Sequence, residues 1–135
     1  SYGGTYPNWE RVIPANADLL FTAESERLAD AVQKCLPVAR SNANRIHFDM
    51  GENEKVSLSS SSYESGDAAA EIGIVVSRAF SPFALNGRFV LDALKMLGSD
   101  GVDVYSAGPL RPVVFRPAGV DNEAAAVVMP MAVAA

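Results

Sequence analysis

His47 is the one histidine in the 135-residue chain, with Arg45 and Asp49 at alternating positions beside it and serines in abundance downstream. A base, a carboxylate and hydroxyls are the ingredients of Ser-His-Asp hydrolysis. The spacing argues otherwise. Alternation places Arg45, His47 and Asp49 on one solvated face of a strand, and the chain has no Gly-x-Ser-x-Gly elbow to strain a nucleophile outward. A small hydrolase is therefore the poorest reading of these residues. One cysteine, Cys35, and one histidine offer no metal-ligand spacing, so neither metal nor other cofactor is expected. Gly98-Ser99-Asp100-Gly101 follows a helical stretch and does not open one, so it cannot lend a helix N-terminus to a phosphate.

A second chemistry-bearing stretch is Ala126-Val127-Val128-Met129-Pro130-Met131. It reads as a buried strand whose pairing stops at Pro130, which has no N–H for the ladder. Two methionines then stand where the strand leaves its sheet. Methionine is flexible and polarizable and suits a surface that accepts several partners, so this exit reads as one wall of an apolar groove.

A third is a pair of charged stripes. Arg27, Asp30 and Lys34 share one helix face, and Arg88, Asp92 and Lys95 share another. Such stripes are commonly solvated and self-paired, as Arg88 and Asp92 would be at i,i+4. Alternatively Arg27, Lys34, Arg40, Arg88 and Lys95 face phosphates. A few contacts at about −0.9 each in salt slope, offset by Asp30 and Asp92, fit sliding along DNA better than gripping it.

The elements that must position these residues follow from periodicity. A strand is expected over Asp18–Ala23. A helix over Ser25–Leu36 buries Leu28, Ala31, Val32, Cys35 and Leu36 at three- and four-residue spacing, and Pro37 should end it. Strands are expected at Arg45–Met50, Lys55–Ser59 and Ala68–Ser77. The order then repeats about sixty residues on: a strand over Phe80–Leu85, a helix over Gly87–Leu97 capped by Asn86 and closed by Gly98, and strands at Val102–Ser106, Pro112–Arg116 and Glu123–Met129. The fold class is α+β: a duplicated β-α-β-β-β unit whose two helices lie adjacent on antiparallel sheet. Before it, Pro7 and Pro14 keep residues 1–14 extended.

Hydrophobic residues make up 49% and charged residues 20%, the balance of one globular domain. A net charge of −5 and a pI near 4.7 speak against a basic nucleic-acid binder, though not against a local basic face. The longest apolar run, Ala124–Ala135, is too short and too broken at Pro130 to span a bilayer. No charged and apolar leader opens the chain, and a cytoplasmic location is expected. Ser1-Tyr2-Gly3-Gly4 without Met is the opening expected of a fragment or processed product.

Tyr6-Pro7-Asn8-Trp9-Glu10-Arg11-Val12-Ile13-Pro14, the doubled unit, Asn86-Gly87-Arg88-Phe89-Val90-Leu91-Asp92 and Val127-Val128-Met129-Pro130-Met131 together resemble the bacterial sliding clamp, the beta subunit of DNA polymerase III. The resemblance is to the last of that family's three domains, with residues 1–14 as an extended segment contributing to a peptide groove and 15–135 as the domain itself. It implies a non-catalytic accessory protein. Two chains would close head to tail into a homodimeric ring around duplex DNA, helices lining the hole and acidic charge outside. It implies a groove for clamp-binding peptides of DNA polymerase III, other polymerases, the clamp loader and repair proteins. The wall on this domain would be Pro7, Arg11, Val12, Asn86, Phe89, Pro112, Val127, Met129, Pro130 and Met131. Val12, Val127 and Met129 would form its deep pocket, and Arg11 and Asn86 its polar contacts. Phe89 stands where the family commonly has Tyr, Ala43 leaves one edge shallow, and Ala132-Val133-Ala134-Ala135 runs past the family's usual end. The subunit contact would use Pro37, Val38, Glu64, Asp67 and Glu71. The alternative is a free-standing peptide-binding module of the same fold with no DNA role.

Overall fold

The computed structural model describes residues 5–8 by their backbone and residues 16–121 and 124–133 in full. The first described strand, β1 (Thr5–Asn8), is followed by β2 (Asp18–Glu24) and the helix α1 (Ser25–Ala39). A 3-10 turn at Arg40–Asn42 leads to β3 (Arg45–Met50), β4 (Lys55–Ser62), β5 (Gly66–Gly73) and the two-residue β6 (Val75–Val76). The second copy runs β7 (Phe83–Asn86), α2 (Gly87–Leu97), β8 (Gly101–Ser106), β9 (Val113–Pro117) and β10 (Ala125–Val128).

The doubled unit closes by exchange. One sheet runs β1-β10-β9-β8-β2-β6 and the other β5-β4-β3-β7, with every pairing antiparallel. The first strand of each copy therefore pairs in the sheet made by the other copy's hairpins: β2 with β8, and β7 with β3. Neither half can complete its sheet alone. Phe21 of β2, Phe80, Phe83 of β7 and Phe48 of β3 run as a chain of ring contacts across this exchange, with centroids 5.6, 5.7 and 5.1 Å apart. Each such pair adds about 0.5–1.5 kcal/mol beyond area burial.

The helices lie against each other, α1 over β3, β4 and β5, and α2 over β10, β9 and β1. Leu28, Ala31, Val32, Cys35 and Leu36 of α1 and Val90 and Leu94 of α2 are buried as their spacing predicts. Gly87 sets how near the helices come: a Cβ there would lie 2.6 Å from Ile46 Cδ1, 3.0 Å from Leu36 Cδ2 and 3.2 Å from Val32 Cγ1. Asn86 caps α2 with its side-chain oxygen, accepting from the N–H groups of Arg88 (2.9 Å) and Phe89 (3.3 Å), and Gly98 closes the helix at φ 62°.

Pro37 does not end α1. It sits inside the last turn and the helix continues to Ala39. Proline deprives only the carbonyl four residues back of a partner, and there that carbonyl belongs to the exposed Gln33, which water reaches. The serine run also departs from expectation. β4 continues through Ser62 because Ser59–Ser62 pair with Ala69–Gly66, so partner strand overrides propensity. The single strand expected over Ala68–Ser77 divides at the buried Ile74 and serves both sheets, β5 in one and β6 in the other. Phe80 lies ahead of β7, which begins at Phe83. Among the described residues no helix is long and apolar enough to cross a membrane.

Candidate peptide groove and charged faces

β10 is buried along its whole length. Ala126 and Val128 face the main core, while Val127 packs with Val114, Ala125 and Tyr105 on the opposite side of the sheet. The strand's exit differs. Met129 is 51% exposed, and Pro130 and Met131 are half-buried. Pro130 interrupts the ladder, and the chain then crosses to the second sheet, where the Met131 N–H donates to the Ala84 carbonyl at 2.8 Å. This single bridge lies on the free edge of β7, two residues before the helix-capping Asn86.

Several groove candidates come together there. Asn86 and Phe89 stand at the start of α2, and Met131 beside Ala84. Pro112 precedes Val113, which pairs with Val128, so it stands level with Met129. Val127 is 7% exposed and can supply only a floor. Asn86 commits its side-chain oxygen to the helix, leaving its amide nitrogen for any polar contact. Pro7 belongs to β1, where it pairs opposite Ala126. Arg11, Val12 and the rest of the segment to Pro14 lie outside the described residues.

One apolar residue at this end of the sheet escapes a periodicity reading. Leu110 is 71% exposed at the tip of the β8–β9 turn, which the Arg111 N–H closes onto the Gly108 carbonyl at 3.1 Å. Its signal in the sequence is a lone leucine within Gly108-Pro109-Leu110-Arg111-Pro112, a stretch otherwise made of turn-formers.

On the helices, Arg27, Lys34, Arg40, Arg88 and Lys95 are all exposed. Arg27 pairs with Glu24 at 3.1 Å, and among the described residues no ion pair joins Arg88 to Asp92. With the helices packed together, these cations share one layer, diluted by the exposed Glu26, Asp30 and Asp92. A third assembly lies at the edge of the four-stranded sheet. The Ser60 hydroxyl donates to the Cys35 carbonyl at 2.7 Å, and Asn42 Nδ2 to the Ser61 carbonyl at 3.3 Å. These bonds hold the end of α1, with Pro37 exposed and Val38 half-buried, over the β4–β5 hairpin that carries Glu64 and Asp67. Glu71 lies farther along β5. Cys35 is sealed in that joint, and burial pushes its thiol up against the opposing pull of Ser60 and Lys34.

His47 faces Ser59 across the sheet, and among the described residues it hydrogen-bonds to neither a serine nor Asp49. Burial, with Arg45 nearby, lowers its pKa below the usual histidine value. The well-formed cleft of about 240 Å³ lies elsewhere, between Asp18, Arg78, Phe80 and Pro109, and is lined by none of the groove candidates.

Known proteins resolve what this arrangement belongs to. Residues 10–132 match the family model described as DNA polymerase III beta subunit, C-terminal domain. The chain is 27% identical over 120 residues to a beta sliding clamp of Staphylococcus aureus, covering 88% of this chain and 32% of that protein. Among solved structures, the DNA polymerase III beta subunit of Thermotoga maritima superposes with a TM-score of 0.83 at 20% identity, over 96% of this chain and 35% of that one. A Pseudomonas aeruginosa clamp bound to griselimycin gives 0.79 at 22% identity, over 95% and 34%. The chain thus spans about a third of the relatives it matches, and it belongs to the family of the C-terminal domain of the DNA polymerase III beta subunit.

Proposed function

We propose that this chain acts as the third domain of a ring that encircles duplex DNA without catalysis and tethers polymerases and repair proteins to it through a peptide groove. The observation that carries the reading is the β10 exit. A strand buried along its length ends in an exposed Met129 beside half-buried Pro112, Pro130 and Met131, next to the cap of α2. Phe89 and Leu110 extend the apolar rim. Pro7, Arg11 and Val12 would close it from the N-terminal side.

Two buried peptide anchors at about 1.5–3 kcal/mol each, less the cost of association, support binding near or weaker than micromolar, about −8.2 kcal/mol. That strength permits exchange among partners. The helix layer, with Arg27, Lys34, Arg40, Arg88 and Lys95, would face DNA, its mixed charge allowing movement along the duplex. The end of α1 (Pro37, Val38) and β5 with Glu64, Asp67 and Glu71 would meet the next subunit. β5 is an open edge whose backbone groups can continue a sheet into a partner chain.

The test is calorimetry of a polymerase-tail peptide against the full ring. Met129→Ala should abolish binding while the melting temperature stays, and unchanged affinity would remove Met129 from the groove. Val127→Asp would not serve, because a charge in that buried cluster tests folding instead.

A further inference from the structure

The outer face of the four-stranded sheet carries an unbalanced cation. Arg45 is half-buried, and its Nη1 donates to Asn42 Oδ1 at 3.0 Å, a neutral acceptor that orients the guanidinium without neutralising it. Its Nε is buried and has no hydrogen-bond partner among the described residues. Other arginines are accounted for: Arg27 pairs with Glu24, Arg78 with Asp18, and Arg40, Arg88 and Arg111 are exposed to water. A half-buried guanidinium with an idle donor is a costly arrangement unless something supplies an acceptor.

Register shows where that acceptor would come from. Arg45 pairs directly with Asn86 of β7, so the two side chains share one face with α-carbons about 5 Å apart. On the same face, His47 pairs with Ala84, and Ala84 bridges Met131. The row His47–Ala84–Met131 thus runs from the sheet's polar surface to the sulfur-lined exit of β10. Ala84 is the residue between them, and it presents only a methyl group. Two strand spacings separate Met131 from His47, about 9.5 Å, a span that about three residues of extended peptide cover. The nearest carboxylate on that strand face, Asp49, lies two residues beyond His47 and makes no ion pair with Arg45. Burial and Arg45's charge keep His47 uncharged over more of the pH range, so it can donate a neutral hydrogen bond beside the guanidinium.

We infer that the peptide groove continues from Met131 across this face, where Arg45, flanked by Asn86 and His47, takes a carboxylate side chain of the bound peptide. The inference rests on the groove reading and adds a chemical requirement to it: an acidic residue within about three positions of the apolar anchors. A charge-assisted bond to a partly desolvated guanidinium is stronger and less screened by salt than one on an open helix face.

The experiment uses the full chain and synthetic peptides with a Leu-Phe anchor pair. Each carries one Glu at one, two or three residues to either side, and each is matched by the same peptide with Gln. At one spacing, the Glu peptide should bind about tenfold tighter than its Gln partner by calorimetry at low salt. Arg45→Met should erase that gap without lowering the affinity of the Gln peptide, and Arg45→Lys should restore part of it. If Arg45→Met fails to fold, the native chain still decides, because the Glu–Gln gap should shrink as salt rises. Equal affinity of Glu and Gln peptides at every spacing, with Met129→Ala still abolishing binding, would overturn the acidic site and leave the groove standing. No binding of any peptide would overturn both.

Discussion

β5 and β10 are the last strands of two copies of one unit, and the chain treats them oppositely. β10 is buried at every residue between β9 and β1. β5 pairs only with β4 and alternates between exposed and half-buried, with Asp67 and Glu71 on its open side. Duplication creates two equivalent sheet edges. Here the chain's own β1 covers one, and the other stays available for another chain, guarded by carboxylates against indiscriminate pairing. The functional exit at Met129 follows from the covered edge: only a strand held on both sides can fix the geometry of what leaves it.

The sharpest way to break this comparison is to place the same charge in both strands. Val128→Asp puts a carboxylate into the core at a fully buried site and should cost more than about 4 kcal/mol, enough to prevent folding. Ala69→Asp, on the exposed face of β5 opposite Ser59, should cost under about 1 kcal/mol. Urea unfolding of both variants decides. Similar losses would mean that β5 is covered by something the register does not show.

The two helices offer a second contrast. α2 begins at Gly87, where three side chains from α1 and β3 leave no room for a Cβ. Gly87→Ala should cost about 1–3 kcal/mol, tempered because the crowded atoms are the flexible ends of Ile46 and Leu36. A neutral result would show that the helices can separate slightly without loss. Capping gives a smaller asymmetry. Asn86→Ala removes an oxygen that accepts two backbone N–H groups and should cost about 1 kcal/mol. Glu24→Ala at the start of α1 removes no cap, only an exposed pair with Arg27, and should stay under about 0.5 kcal/mol. Thermal melts of the pair test the difference, and Asn86→Ser should recover most of the larger loss.

What could be read beforehand tracks where the signal is local. α2 was legible to the residue because its cap and its closing glycine are chemistry of single positions, Asn86 and Gly98. α1 was not, because a proline in a last exposed turn is tolerated although proline usually breaks helices. The doubled order of elements was visible, but the exchange of β2 and β7 between sheets was not: alternation looks the same whichever strand is the neighbour. For the same reason the division at Ile74 was hidden. Of the groove, Asn86, Phe89, Pro112 and the Met-Pro-Met turn were found through resemblance and do gather at one place. Leu110 was missed because a turn residue carries no period. The unbalanced charge of Arg45 could not be seen at all, since it depends on which groups burial leaves unpartnered.

The smallest effect tests the joint between the copies. α1 ends through the 3-10 turn into Ala43 at φ 59°, followed by Asn44 also at φ 59°, whereas α2 ends at the glycine suited to that conformation. The left-handed region crowds a Cβ against the following carbonyl, which asparagine tolerates and alanine does not. The Asn44 carbonyl accepts the Gly87 N–H at 2.8 Å, so the strained turn of the first copy holds the helix start of the second and cannot simply relax. Ala43→Gly should therefore raise stability by about 0.5 kcal/mol, the relief of strain exceeding the extra freedom glycine gives the unfolded chain. Asn44→Gly should give less. If Ala43→Gly destabilises instead, the alanine methyl has a packing role that outweighs its backbone cost, and the two helix ends are then built on different principles.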